Sequence, residues 1–253
     1  MKFPKVIFGM AVGAIFMLSQ VAYAQFEGQI SMNIYNYDDG VQTDTEVINL
    51  YTTEERILIK GEDVINISDG MMEASGILIR SDMKDFVIMM GEKEALRFTK
   101  EELEGMFSMI SMFSGGAEED VDTEIDANYR YTNEVRTIEG LKATELRVEN
   151  DEKPNTYLSV WLTNDLDIDW GMLSEPWNNV PTSFSGQVSQ MTQEFKSRNF
   201  PMLIQVTERG KTTTLFEVTE VRKSRIAKDM VEMPEGLQLV SLQQMMMKAM
   251  MSN

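Results

Sequence analysis

The chain has 253 residues, with 41 acidic against 23 basic side chains, no Cys and no His, and a formal net charge of −18. Without a thiol or an imidazole there is no Cys nucleophile, no Ser-His-Asp relay and no His/Cys zinc site, so any catalysis would have to rest on carboxylates, Lys, Tyr or hydroxyls. The acidic balance also removes nucleic-acid binding, because a phosphate reader needs a basic footprint.

Met1 to Ala24 has the pattern of a cleaved secretion signal. Lys2 and Lys5 form its charged start, Val6 to Leu18 its apolar stretch and Ala22-Tyr23-Ala24 the small-x-small site. The apolar stretch is shorter than the ~20 residues a spanning helix needs, and no later segment is suited to stable membrane insertion. With no Cys anywhere there is no lipobox. The expectation is a periplasmic or secreted protein, not a lipoprotein, whose remaining ~200 residues can bury a core without disulfides.

From Gln25 the pattern has period two. Phe26, Gly28, Ile30, Met32 and Ile34 fall on one face of a strand, and Glu27, Gln29, Ser31 and Asn33 on the other. Asp38-Asp39-Gly40 supplies a turn. Strand-like runs follow at Glu46 to Tyr51, Arg56 to Lys60, Val64 to Ser68, Ile77 to Ser81, Phe86 to Met90 and Ala95 to Thr99.

Lys100 to Phe113 breaks the period. Thr99 with Glu102 three residues on is a capping-box signature, and Leu103, Met106, Phe107 and Ile110 fall at helical spacing, with Met109 and Phe113 widening the stripe before Gly115-Gly116. Glu118 to Asp126 holds six acids in nine residues, which reads as a solvated loop because like charges repel. Strands resume at Tyr129 to Ile138, Leu141 to Glu149 and Tyr157 to Thr163. A second helix is expected at Phe184 to Arg198, with Phe184, Val188, Met191 and Phe195 on one face and Asn199 and Pro201 as its stop. Met202 to Glu208 and Thr212 to Arg222 complete the strands, with Glu139-Gly140 and Arg209-Gly210-Lys211 as tight connections. Leu237 to Asn253 reads as a peripheral amphipathic or frayed tail.

About a dozen strands are too many for one flat sheet. The expected fold is mainly β (α+β), a curled antiparallel half-barrel of about ten to twelve strands with a helical lid. The division is a signal over 1–24, a single domain over 25–240 and a Met-rich tail over 241–253.

Asp165, Asp167 and Asp169 imitate the start of a calcium loop. Counting from Asp165, however, Trp170 stands where a Gly is needed and Pro176 where a Glu is needed, so these acids face water or cap a helix. The methionines from Met245 to Met251 could hold a cuprous ion through thioethers. Met is abundant throughout, and an adaptable apolar contact is the simpler reading. Carboxylate pairs such as Glu101 and Glu102 arise by chance in so acidic a chain. No enzyme, cofactor or metal site is expected.

Two helices with such broad apolar stripes admit two readings, an ordinary core or the cover of an apolar cavity of the small-molecule or lipid type. On the second reading the ligand meets Met106, Phe107, Met109, Ile110, Phe113, Phe184, Val188 and Met191. Trp161, Trp170 and Trp177 would then stand near the cavity mouth, although they serve equally as core.

The segments Phe26-Glu27-Gly28-Gln29-Ile30, Ile59-Lys60-Gly61-Glu62-Asp63-Val64 and Val160-Trp161-Leu162-Thr163-Asn164-Asp165-Leu166, following a secretion signal, resemble a family of exported bacterial domains of unknown function. That family resembles in turn the lipoprotein-localisation carriers of the LolA/LolB type. The resemblance implies a half-barrel with a helical lid and non-covalent handling of a lipid or lipoprotein acyl chain in the periplasm, with no catalytic residue. An envelope protein partner is the rival implication, for the same scaffold with a filled core.

Overall fold

The computed structural model describes residues 25–38, 40–67, 72–91, 93–105, 128–149, 155–175, 199–241, 243–245 and 247. Among them is one mainly antiparallel sheet of twelve strands, curled and open, plus a separate two-stranded ribbon. The signal segment, the acidic loop, the second expected helix and the lid residues beyond Gly105 lie outside the described residues.

The sheet is built by two meanders, one running outward from the centre and the other returning to it from the far edge. The first comprises β1 (Gly28–Asp38), β2 (Val41–Thr52), β3 (Arg56–Gly61), β6 (Gly76–Arg80), β7 (Asp85–Met90) and β8 (Glu94–Thr99). The chain then passes to the far edge, where β9 (Asn128–Ile138), β10 (Leu141–Glu149), β11 (Thr156–Thr163), β12 (Phe200–Glu208) and β13 (Lys211–Lys223) return until β13 pairs with β1. Two-residue turns drive this winding. Glu139-Gly140 and Arg209-Gly210 both have positive φ at each position, the conformation whose twist matches that of the flanking strands.

Alternation fixes the faces. Ile30, Met32, Leu50, Ile57 and Ile79 define an inner face and form one buried cluster. The segment after β11 packs into this cluster through Leu166, Ile168 and Trp170, tied by the Phe26 N–H donating to the Asp167 carbonyl at 2.7 Å. A 3-10 turn at Gly171–Ser174 then places Met172 against the inner face of β7 and β8, with Ile88, Leu96, Phe98 and Leu103. Leu103 belongs to helix α1, of which residues 100–105 are described. Its capping box is formed: the Thr99 N–H donates to the Glu102 carboxylate at 2.9 Å, and the Glu102 N–H donates to the Thr99 hydroxyl at 3.2 Å.

Three features differ from the sequence expectation. The run at Val64 to Ser68 does not extend the sheet but forms β4 (Ile65–Ile67), which pairs with β5 (Met72–Ala74), an element without a sequence signal, in the separate ribbon. Residues 224–237 form a strap with a 3-10 turn at Lys228–Val231. Its Ile226 and Val231 cover the outer face of β3, β6, β7 and β8 at Leu58, Leu78, Val87 and Ala95. The chain expected to be a peripheral tail from Leu237 instead gives β14 (Gln238–Ser241), which pairs in parallel with β8 at the sheet edge. Burial drives this, because β6 to β8 are apolar on both faces and need a cover on each.

Candidate functional site

Strands β3, β6, β7 and β8 are therefore covered on both faces. Among the described residues the strands of the second meander are not. The strand register lays Ile34, Phe216, Ile204, Val160 and Leu146 side by side across β1, β13, β12, β11 and β10. Ile34 and Phe216 of this row pack against the main cluster, and on the same face a parallel row adds Val206, Leu158 and Val148. Ile34, Phe216, Ile204, Val160, Val206, Leu158 and Val148 are only half-buried. Ile204, Val160, Val206, Leu158 and Val148 belong to none of the apolar clusters among the described residues.

At one end of this strip is an open cleft of about 500 Å³. Its apolar wall is Val135, Tyr131 and Leu162, and Val135, Thr144 and Leu162 face one another in register across β9, β10 and β11. Asn133, Asn164, Asn199, Lys142 and Asp165 supply its polar groups. β9 irregularly pairs with β10 between Thr144 and Leu146, where Asn133 has φ 65°. That bulge bends the edge strand and opens the cleft between its two exposed apolar side chains, Tyr131 at 48 % and Val135 at 61 %.

On the opposite face, beside Trp161 and Leu203 of the main cluster, the polar groups are internally satisfied. Gln29, Ser31 and Asn49 hydrogen-bond to one another, the Ser31 hydroxyl donating to Asn49 at 2.7 Å. The Tyr35 hydroxyl donates to Glu217, and this bond holds the phenol's proton on, above its ordinary pKa. Glu145, 2 % exposed, accepts from Ser159 and Thr132 at 2.6 Å each and from Arg147 at 2.9 Å. Burial pushes its pKa up, but these three donors outweigh that cost and hold it below the ordinary 4.5. Such an arrangement is structural: every lone pair that could do acid–base work is already engaged.

Of the candidate ligand residues, Met106, Phe107, Met109, Ile110, Phe113, Phe184, Val188 and Met191 lie outside the described residues. Trp161 is buried in the main cluster, with the Arg136 guanidinium 4.3 Å above its ring. Register pairs Trp161 with Glu145 and Leu203, which puts it on the opposite face of β11 from Val160. Trp170 stacks on Phe200 with ring centroids 6.2 Å apart. Both therefore sit in the core, and Trp177 is outside the described residues. Sequence reasoning missed Leu158, Val160, Ile204, Val206 and Phe216. Their alternation was readable strand by strand, but the face they share with Ile34 is set by pairing between β1 and β13, far apart in sequence. Asp165 spends Oδ2 on the Lys142 N–H at 3.3 Å, and the Gly171 N–H donates to Asp169 at 2.9 Å. These two acids thus satisfy backbone donors. Among the described residues no group of three or more acidic side chains is placed to hold a metal ion, and no helix is long and apolar enough to cross a membrane.

No family model matches the chain, and no curated protein matches it. Among solved structures it is similar to PNGF-II, with a TM-score of 0.43 and 12% identity over 89% of this chain and 33% of the other. It is similar to MucB in the Pseudomonas aeruginosa MucA/MucB complex, with a TM-score of 0.35 and 12% identity over 87% and 60%. It is also similar to a DUF1329 family protein from Desulfovibrio piger, with a TM-score of 0.32 and 12% identity over 90% and 98%. The chain spans one third of the PNGF-II chain and three fifths of the MucB chain.

Proposed function

We propose that this chain is a non-enzymatic periplasmic binding protein whose half-buried apolar sheet face, over β10 to β13 and the adjoining end of β1, takes the acyl part of a lipid or of an acylated protein. The observation that carries this reading is the apolar row of half-buried Ile34, Phe216, Ile204 and Val160 with buried Leu146 at its end, which opens into a cleft. An apolar sheet face has to be buried against something, and concave apolar surface with a few polar groups at its mouth is the usual form of a lipid or small-molecule site. Burial of an acyl chain there supplies affinity at ~25 cal/mol per Å² before ordering costs. The secretion pattern of residues 1–24 and the lack of any Cys support the compartment. The absence of His and Cys from the whole sequence supports a binder over an enzyme.

Native mass spectrometry with organic extraction tests this on protein purified from periplasm without detergent. The expected result is a stoichiometric lipid or acylated species that is lost in Val160→Asp and Ile204→Asp, both still folded by circular dichroism. Folded variants that keep the lipid would put the site elsewhere. The rival reading is an envelope protein–protein interaction module, favoured by the 11-residue edge strand β9, whose outer side pairs with no described strand. Clean apo protein that fails to enhance a hydrophobic probe's fluorescence would favour that rival.

A further inference from the structure

The cleft at the end of the apolar strip holds one cation and one anion, Lys142 and Asp165. Among the described residues, the Lys142 ammonium has no ion-pair partner and no ion pair joins it to Asp165. Asp165 uses Oδ2 on the backbone N–H of Lys142, which anchors the carboxylate and leaves Oδ1 for another donor. Asn133 and Asn164 add amides that can donate or accept. Opposite charges that share a cleft without neutralising each other are set for a ligand that carries both.

The apolar strip begins at the cleft itself. Leu162 lines it, and Val160 and Leu158 follow on the same side of β11, a reach of ~13 Å over four residues. We propose that the ligand is an amphiphile with a zwitterionic headgroup. Its anionic group sits at Lys142, its ammonium at Asp165, and its chain runs along Leu162, Val160 and Leu158. The whole-chain charge favours this class: a net −18 repels a purely anionic headgroup, whereas a neutral zwitterion escapes that field and still uses both charges. This inference rests on the apolar-ligand reading and adds the headgroup to it.

The test uses the full chain and short-chain amphiphiles below their micelle concentration, titrated by calorimetry. The probes are dihexanoyl phosphoethanolamine, dihexanoyl phosphoglycerol, an uncharged monoacylglycerol and chain-free phosphoethanolamine. The zwitterionic phospholipid is expected to bind tightest, and chain-free phosphoethanolamine not measurably. Lys142→Gln and Asp165→Asn should each weaken the zwitterionic lipid by roughly threefold to fivefold, the range of an exposed charge pair, and leave the monoacylglycerol unchanged. Asp165→Asn keeps an oxygen to accept from the Lys142 N–H, so folding is conserved. If both variants bind the zwitterionic lipid as tightly as the parent while Val160→Asp abolishes binding, the headgroup assignment falls and the apolar site stands. If no amphiphile binds the parent, or Val160→Asp changes nothing, the apolar site falls and takes the headgroup with it. Strong binding of chain-free phosphoethanolamine would assign the cleft to a free polar metabolite and overturn the amphiphile.

Discussion

A carboxylate held at 2 % exposure between strands needs donors to stay charged, and Glu145 has them from β9, β10 and β11: Thr132, Arg147 and Ser159. The arrangement staples three strands at the open edge of the sheet. Because the folded pKa is depressed below 4.5, the contribution is fully present above the unfolded value and is lost as pH falls through the folded one. Glu145→Gln should therefore cost about 1–3 kcal/mol near neutrality. Its gap in melting temperature from the parent should close as pH is lowered through and below the ordinary carboxylate range. A gap that stays constant over that span would mean that the charge itself contributes nothing. The buried pair Arg80 and Asp85, bidentate at 2.7 Å across β6 and β7, works the other way round: removal of one partner strands a charge in the core. Asp85→Ala should cost about 3–5 kcal/mol in urea unfolding, and a loss below 1 kcal/mol would show that water reaches Arg80.

At the scale of elements, the local signals were legible and the distant ones were not. Thr99 and Glu102 announced α1 because a capping box is a contact between residues three apart, and the structure forms it. Thr99→Ala should lower stability by about 1 kcal/mol, with Thr99→Ser close to the parent; equal stability of all three would mean that α1 gains nothing from its cap. β14 had no such signal. Four residues in which Leu239 is 40 % exposed and Val240 buried contain no alternation to count, and the strand exists only because β8 offers it an edge. The strap before it places Ile226, Val231 and Leu237 at irregular spacing, so no period reveals it. The long strands could be read one by one, yet the five-strand apolar row depends on the bulges after Ser31, Ile204 and Trp161, each of which moves the register by one residue. Removal of residues 238–253 uncovers the β8 edge next to apolar Leu96 and Ala95. Unpaired edges template association, so this truncated chain should show a mass by light scattering that rises with concentration more than the parent's. Identical behaviour of the two would demote β14 to decoration.

Among the described residues the two meanders differ in what covers them, and this asymmetry is where structure meets function. β6, β7 and β8 have apolar partners on both faces, with Leu78, Val87, Ala95 and Leu96 fully buried. In β9, seven of the nine side chains from Arg130 to Ile138 are exposed, and of the described strands only its inner neighbour pairs with it. Local opening costs least where apolar contacts are few. Amide exchange should therefore be slowest in β6 to β8 and fastest, among the long strands, in β9 and β10. A ligand seated on the Ile34, Phe216, Ile204 and Val160 row contacts the folded sheet alone, so it stabilises by RT ln(1 + [L]/Kd). The added protection should appear in β11, β12 and β13, whose local opening breaks the site, and should extend to β6 to β8 to the extent that those strands exchange by global opening. Hydrogen exchange with mass spectrometry, with and without dihexanoyl phosphoethanolamine, reads both halves at once. Uniform exchange across the sheet would make the molecule one cooperative unit with no weaker half, and no added protection in β11 to β13 would place the ligand outside the site argued above.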